Sequence, residues 1–266
     1  NLMLTIILVV YKTDKKKLKY ILKQIDKNYP IIIIDTSKNY DFSNLKISKK
    51  TKIIRSNNIG QGAGINLGLK HCKTNYAFNT DLDVTFKKNF IKKFYQFSKK
   101  SKNFAIMLPN HGNINSKKDL EERYEQEGSV LLFNKKILKK IGFYDEKFFL
   151  YFEEIDLFLR CKKNNLKVFF ATNFKIKHNR ASSISINKEK IKNLRAWHYM
   201  WSMFYCYKKN YNFIHAINKI YILLIKDIIM MFVHLILINK KKFNYRFNRI
   251  YGAISSILGL KSFKRP

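Results

Sequence analysis

Short runs of branched apolar residues alternate with amphipathic stretches through the first half of the chain. Thr5-Ile6-Ile7-Leu8-Val9-Val10 is the first such run, and helical spacing extends from Lys15 to Gln24. Ile31-Ile32-Ile33-Ile34 follows, introduced by Pro30 and closed by Asp35. The series continues with Ile53-Ile54, a helix from Gly62 to Cys72, and a strand Tyr76-Ala77-Phe78. A helix from Lys87 to Lys99 and a strand Phe104-Ala105-Ile106-Met107 complete it. Strands this apolar are covered on both faces, and their alternation with helices predicts a mainly parallel α/β sheet flanked by helices. Ligands of such sheets bind beyond the carboxyl ends of the strands. Asp35 and Asp81 both fall at strand ends, where a site is expected.

The pattern then loosens. Residues 110–128 are polar and read as a loop or lid, Val130-Leu131-Leu132-Phe133 as a strand, and Glu153 to Lys163 as a helix turning Ile155, Phe158 and Leu159 inward. Leu166 to Ala171 and Lys175 to Lys177 would close the sheet. The apolar start from Asn1 to Val10 has neither the length nor the basic flank of a secretion signal, and reads as a buried first strand. From about Asn187 the pattern is helical throughout, which divides the chain into 1–186 and a C-terminal helical extension, 187–266. Trp197, Tyr199, Trp201, Phe204, Tyr205 and Tyr207 there are flanked by Lys190, Lys192, Arg195, Lys208 and Lys209. Ile220 to Ile238 is mostly apolar but is interrupted by Lys226, Asp227 and His234. It has the length to span a bilayer, yet a Lys-Asp pair near its middle is costly there. Packing on the α/β domain, lying in the membrane interface and insertion are the three placements open to it. The interfacial one is favoured, with Trp and Tyr at headgroup depth and Lys and Arg against anionic lipid.

Charge sharpens that division. Lys and Arg number 53 against 18 Asp and Glu, a net charge of +35; residues 1–156 carry +14 of it and 157–266 carry +21. Nucleic acid, anionic lipid headgroups and phosphorylated substrates all suit such a field. Lys outnumbers Arg 45 to 8 alongside many Asn, Ile, Phe and Tyr, so compositional drift accounts for part of the total, but not for its asymmetry. An apolar content of 46% excludes global disorder. Three scattered cysteines (Cys72, Cys161, Cys206) exclude a disulfide framework or a zinc site and indicate a reducing compartment.

Against this basic background, five of the 18 acidic residues sit in two short stretches, Asp81-Leu82-Asp83 and Glu153-Glu154-Ile155-Asp156. Grouped carboxylates beside apolar segments repel one another and resist burial unless a cation or a proton transfer uses them. An Asp-x-Asp at a strand end can ligate Mg²⁺ or Mn²⁺, which bridges diphosphate oxygens. A carboxylate of the second cluster could take a proton from an attacking hydroxyl; an acidic first helical turn needing no chemistry is the alternative. Gly60-Gln61-Gly62-Ala63-Gly64-Ile65-Asn66-Leu67-Gly68 lacks dinucleotide-binding spacing and reads as a loop whose backbone can approach a ligand. His178, just after a strand candidate and before Asn179-Arg180-Ala181-Ser182-Ser183, is a candidate third metal ligand.

In order, these pieces resemble one family. Val9-Val10-Tyr11, Ile34-Asp35-Thr36-Ser37, Asn58 to Asn66, and Asn79-Thr80-Asp81-Leu82-Asp83-Val84 are similar to the motifs of an inverting family 2 glycosyltransferase of the GT-A fold. So are Glu127-Gly128-Ser129, Gly142 to Phe149, Tyr151 to Arg160, and His178 followed by Ser182. The resemblance covers about residues 4–185 and is strongest to the rhamnosyltransferase-like branch that builds bacterial surface polysaccharides such as lipopolysaccharide O-antigen. It implies a mixed, mainly parallel sheet and a Mg²⁺- or Mn²⁺-dependent hexosyltransferase. The donor would be a nucleotide-diphosphate sugar, with a deoxyhexose such as rhamnose expected. The acceptor would be a lipid-linked saccharide, at the cytoplasmic face of an anionic membrane to which the enzyme binds peripherally. By the same resemblance Val10, Tyr11 and Asp35 would hold the base, with Asn58, Gly60, Gly64, Asn66 and Asp81 completing the donor site. Gly128 and Ser129 would meet the acceptor. Asp83 and His178 would bind the metal, although the family's Asn-Pro-Asp, against Thr80-Asp81-Leu82-Asp83 here, leaves Asp81 open as the main ligand. Glu154 stands where the family has a catalytic Asp, so Glu153 and Asp156 remain alternatives for the base. Two other readings compete: a nucleic-acid-binding basic protein, which leaves the acidic clusters unexplained, and a non-catalytic membrane scaffold with a degenerate transferase fold.

Overall fold

The computed structural model describes residues 4–101, 103–112, 116–178 and 188–266. Its elements, in chain order, begin with β1 (Leu4–Val10), α1 (Lys15–Gln24), β2 (Ile31–Asp35), β3 (Thr51–Arg55), α2 (Gln61–His71) and β4 (Tyr76–Thr80). Next come β5 (Val84–Thr85), α3 (Phe90–Ser98), β6 (Phe104–Asn110), β7 (Leu120–Glu122), β8 (Val130–Asn134), α4 (Lys135–Leu138) and α5 (Glu153–Lys163). The last are β9 (Lys167–Lys175), β10 (Lys177–His178), α6 (Lys188–Asn210), α7 (Phe213–Ile236) and α8 (Lys240–Ile257). The chain forms two compact units, 1–144 with 157–185, and 145–156 with 186–266.

The first unit is built on an eight-stranded sheet in the order β3-β2-β1-β4-β8-β6-β9-β7, with β5 and β10 forming a separate antiparallel pair. β1, β2, β3 and β4 run parallel, as do β6 and β9, while β8 lies antiparallel between β4 and β6. Alternate side chains of β1 feed opposite faces. Ile6, Leu8 and Val10 join Leu18 and Ile21 of α1 and Phe90 and Phe94 of α3 in one core. Ile7 joins Ile65 and Leu69 of α2 and Leu157, Phe158 and Cys161 of α5 in the other. Burial on both faces is why these strands are uninterrupted apolar runs. β3 is the exception: its residues are exposed or half-buried, as befits the sheet edge.

Two expectations need correction. The polar segment 110–128 is not wholly loop, because Leu120–Glu122 pairs with β9 and adds an edge strand. The glycine-rich run, from Gln61 on, is helix rather than loop, in keeping with the helix expected from Gly62 to Cys72. Gly60 turns the chain with φ 94°, and α2 begins at Gln61. A Cβ at Gly64 would lie 3.1 Å from Val9 Cγ1, and one at Gly68 would lie 2.5 Å from Ile7 Cγ2, so both glycines let α2 press against β1. The C-terminal region is helical as expected, and is built of three helices, α6, α7 and α8. Asn212 and Asn239 cap α7 and α8 by accepting from the N–H groups of His215 and Lys242.

The second unit packs α6 against α7 and α8 around Trp197, Met200, Trp201 and Phe204. Gly252 lets α8 approach α6 closely: a Cβ there would lie 2.2 Å from the Trp197 carbonyl oxygen. Asp227, in the middle of α7, is only 1% exposed and is met by Arg246 and Arg249 of α8, each at 2.6 Å. The Lys-Asp pair that makes a spanning helix costly is thus half consumed by an internal ion cluster. No helix among the described residues is long and apolar enough to cross a membrane.

Candidate active site

The sheet brings its chemistry to one edge. Parallel pairing sets Val10 opposite Asp35, so β1 and β2 end together, and β4 delivers Asp81 next to β1. β8 enters antiparallel beside β4, and the Asp81 N–H donates to the Ser129 carbonyl at 2.8 Å. Val10, Asp35, Asp81 and Ser129 therefore share the carboxyl end of the parallel strands.

Asp81, Asp83 and His178 converge there. One ligand atom from each lies within 4.8 Å of the other two, with His178 Nε2 3.0 Å from Asp83 Oδ1 and 3.8 Å from Asp81 Oδ2. The β5–β10 pairing creates this geometry, because His178 sits opposite Val84, one residue beyond Asp83. Two carboxylate oxygens and an imidazole nitrogen at this separation fit a hard divalent cation such as Mg²⁺ or Mn²⁺. Ser182 and the 179–183 turn lie outside the described residues.

Two neighbours of this cluster carry no sequence signal of their own. Gln61, the first residue of α2, donates from its side-chain amide to Asp81 Oδ1 at 3.2 Å. His111 stands with its ring 5.8 Å from that of His178 and its Nε2 3.5 Å from the Ser129 hydroxyl. Only folding brings these residues to the Asp81-Asp83-His178 cluster.

Other candidates have partners that explain their presence structurally. Asp35 is fully buried and accepts from the N–H groups of Ser37 (2.8 Å) and Tyr40 (3.0 Å), closing the turn after β2. Asn66 clamps the backbone of Tyr144 from both ends of its amide, at 2.9 and 3.0 Å. Asn58 accepts from the Gly60 N–H at 3.4 Å and helps set the entry to α2. Gly128 leaves space for Leu131, whose Cδ2 would lie 2.9 Å from a Cβ there. Tyr11 is half-exposed at the end of β1.

The second acidic cluster belongs to the first turn of α5, in the other unit. Asp156 is fully buried and held by Lys209 and Asn210, each at 2.8 Å, which commits it to the packing of α6. Glu153 is buried and Glu154 half-exposed. The turn delivering them is strained: Tyr151 and Phe152 both take left-handed backbone, with φ 67° and 65°. Each such residue costs on the order of 1–2 kcal/mol and persists only where packing fixes it. Here Tyr199 holds both rings, at 5.9 and 5.5 Å, and the Phe152 carbonyl accepts from the Asp156 N–H to open the helix. Asp145, another member of this segment, is partly desolvated, but its bonds with Lys209, the Lys147 N–H and Tyr205 outweigh that and hold it below the usual carboxylate range.

A mixed sheet of this order, with an Asp-x-Asp beyond its fourth strand, defines a GT-A-type glycosyltransferase fold. The chain belongs to glycosyl transferase family 2, whose model matches residues 5–158. Among solved structures it is similar to the mannosyltransferase PcManGT from Pyrobaculum calidifontis in complex with GDP-Man and Mn²⁺. The two share 10% identity over 97% of this chain and 87% of that one, with a TM-score of 0.57. It is also similar to GalNAc-T7 with UDP, GalNAc and Mn²⁺, at 11% identity, a TM-score of 0.56, and coverage of 76% of this chain and 50% of that one. S. aureus TarS matches at 15% identity and a TM-score of 0.52 over 73% of this chain, which spans only 39% of the TarS length. At these identities the likeness is one of fold. No curated protein sequence matches the chain.

Proposed function

We propose that this glycosyltransferase moves a hexosyl group, a deoxyhexose such as rhamnose, from a nucleotide-diphosphate donor to a lipid-linked saccharide in bacterial surface-polysaccharide synthesis. It would act at the cytoplasmic face of the membrane as a peripheral protein. The observation that carries the reading is the Asp81-Asp83-His178 cluster at the carboxyl end of β4 in a family 2 domain. Mn²⁺ in the GalNAc-T7 and PcManGT structures supports a metal-dependent donor site of this kind. Asp83 and His178 would hold Mg²⁺ or Mn²⁺ with Asp81, and the bound cation would neutralise charge on the departing diphosphate.

Val10, Tyr11 and Asp35 would cradle the base, with Asn58 and Gly60 beneath the donor and Gly64 and Asn66 keeping α2 in place. Gln61 would orient Asp81. Gly128 and Ser129 border the acceptor side. Glu154 acts as general base, with Glu153 the alternative: it takes the proton of the acceptor hydroxyl as that oxygen bonds to the anomeric carbon. The carbon–oxygen bond to the diphosphate breaks on the opposite face, so the configuration inverts. Asp156, bound to Lys209 and Asn210, serves to hold the turn.

The test has two parts. Thermal shift with Mn²⁺ and a panel of nucleotide sugars identifies the donor. Transfer is then measured in Glu154→Gln and Asp83→Asn variants. Loss of the Mn²⁺-dependent shift in Asp83→Asn, and a rate lower by about 10²–10⁴ with donor binding retained in Glu154→Gln, are expected. Full activity in both variants refutes the site.

A further inference from the structure

Helix α7 is inside out. Ala216, Ile220, Asp227 and His234 are its buried residues, while Ile222, Ile225, Ile229, Phe232 and Ile236 are exposed. The exposed set recurs at intervals of three and four and so shares one face. With Ile228 and Val233 the apolar arc covers about 140° at the helical period of 100° per residue, broader than the narrow seam of a coiled coil. The face continues into the corner before α8, where Ile236 is 80% and Ile238 90% exposed, and Lys240-Lys241-Lys242 follows at once. An apolar surface of this breadth left open to water marks a docking site.

Charge selects the occupant. The second unit carries 17 basic and seven acidic side chains, a net of +10, and of the acids only Glu189 and Asp227 lie in residues 186–266. Asp227 is sequestered by Arg246 and Arg249 on the packed side of α7, so it presents no negative charge at the apolar face. Lys219 and Lys226 border one edge of that face and the three corner lysines close its end. A second copy of the chain would bring like-charged rims together, which opposes association. An anionic bilayer meets both demands, accepting the apolar face at the acyl boundary and the lysines at its headgroups. No helix among the described residues is long and apolar enough to cross, so α7 would lie in the plane.

We infer that the Ile222–Ile236 face of α7, its Leu237-Ile238 corner and Lys240–Lys242 form the surface by which this protein docks on anionic lipid. The inference rests on the membrane-side part of the proposed function, and not on the transfer chemistry. The test is co-sedimentation of the full chain with vesicles of phosphatidylcholine alone and of equimolar phosphatidylcholine and phosphatidylglycerol. The wild type should partition to the anionic vesicles. An Ile229→Gln, Phe232→Gln, Ile236→Gln variant should lose at least tenfold in partitioning. Replacing Lys240, Lys241 and Lys242 with Gln should cost about fivefold per lysine, about a hundredfold together. All these positions are exposed or part of the corner, and circular dichroism verifies that both variants fold. Equal binding to neutral vesicles, no binding to either, or unchanged partitioning of the apolar variant overturns the assignment. So does a wild-type dimer in sedimentation velocity that the apolar variant dissolves. Nucleotide-dependent thermal shift with Mn²⁺, run in parallel, reports on the transfer reading separately: vesicle binding without it would sink that reading and leave this one standing.

Discussion

His198 occupies an apolar interior and is kept in its neutral form there. Burial, with lesser contributions from Arg265 and Lys264, lowers its pKa to about 4, against the hydrogen bond to the Lys264 carbonyl, which acts to raise it. Its Nε2 lies 2.9 Å from that carbonyl and its Nδ1 3.3 Å from the Ser262 hydroxyl, so Nε2–H donates and Nδ1 accepts. The unfolded chain binds the proton more tightly than the fold does. Stability is therefore complete above the ordinary histidine range and is lost as pH falls from about 6.5 towards about 4, by up to about 3 kcal/mol. Urea denaturation across that window should show the loss, and a His198→Gln variant should flatten it. At the same scale, the acidic clusters were legible because carboxylates are rare in this chain, and His178 because it follows a strand. Gln61 and His111 were not, since ordinary polar residues acquire meaning here only through contacts 20 and 18 positions away.

Elements show where apolar pattern suffices and where it fails. β1, β2, β4, β6 and β8 were readable because both faces are buried, which leaves no polar alternation. β5, β10 and α4 are too short for any periodicity to register. The helical breaks at Asn212 and Asn239 were written in capping chemistry rather than in hydrophobic spacing. Two substitutions test the C-terminal helices. Gly252→Ala forces a methyl into the Trp197 carbonyl and should cost at least about 2 kcal/mol, measured by thermal or urea denaturation. Asp227→Ala leaves Arg246 and Arg249 with uncompensated charge and should cost about 3–5 kcal/mol. Replacing all three residues with well-packed apolar side chains should recover much of that loss.

At the scale of the whole molecule, residues 145–156 belong with 186–266, although they lie between strands of the sheet-bearing unit in sequence. Ser202 donates to the Leu150 carbonyl, Tyr205 to Asp145, and Asn210 to Asp156, while Arg265 lies 4.2 Å from the Phe149 ring centroid. Ending the chain after residue 186 would strip these partners away and expose Phe148, Phe149 and Phe152. Such a fragment should be recovered mainly in the insoluble fraction on expression, and the soluble remainder should show faster proteolysis around 145–156. Retention of a cooperative melt at the full-length temperature would contradict this.

That interleaving also constrains how the molecule can be inherited. Exchange of the C-terminal helices between related genes by one crossover would carry α6 to α8 without the twelve-residue insert they enclose, so donor and recipient parts must match at Tyr199, Tyr205, Lys209 and Asn210 or change together. The strained turn that presents Glu153 and Glu154 thus evolves as a property of the helical unit, and variation in the carboxylates should track variation in α6 rather than in the sheet.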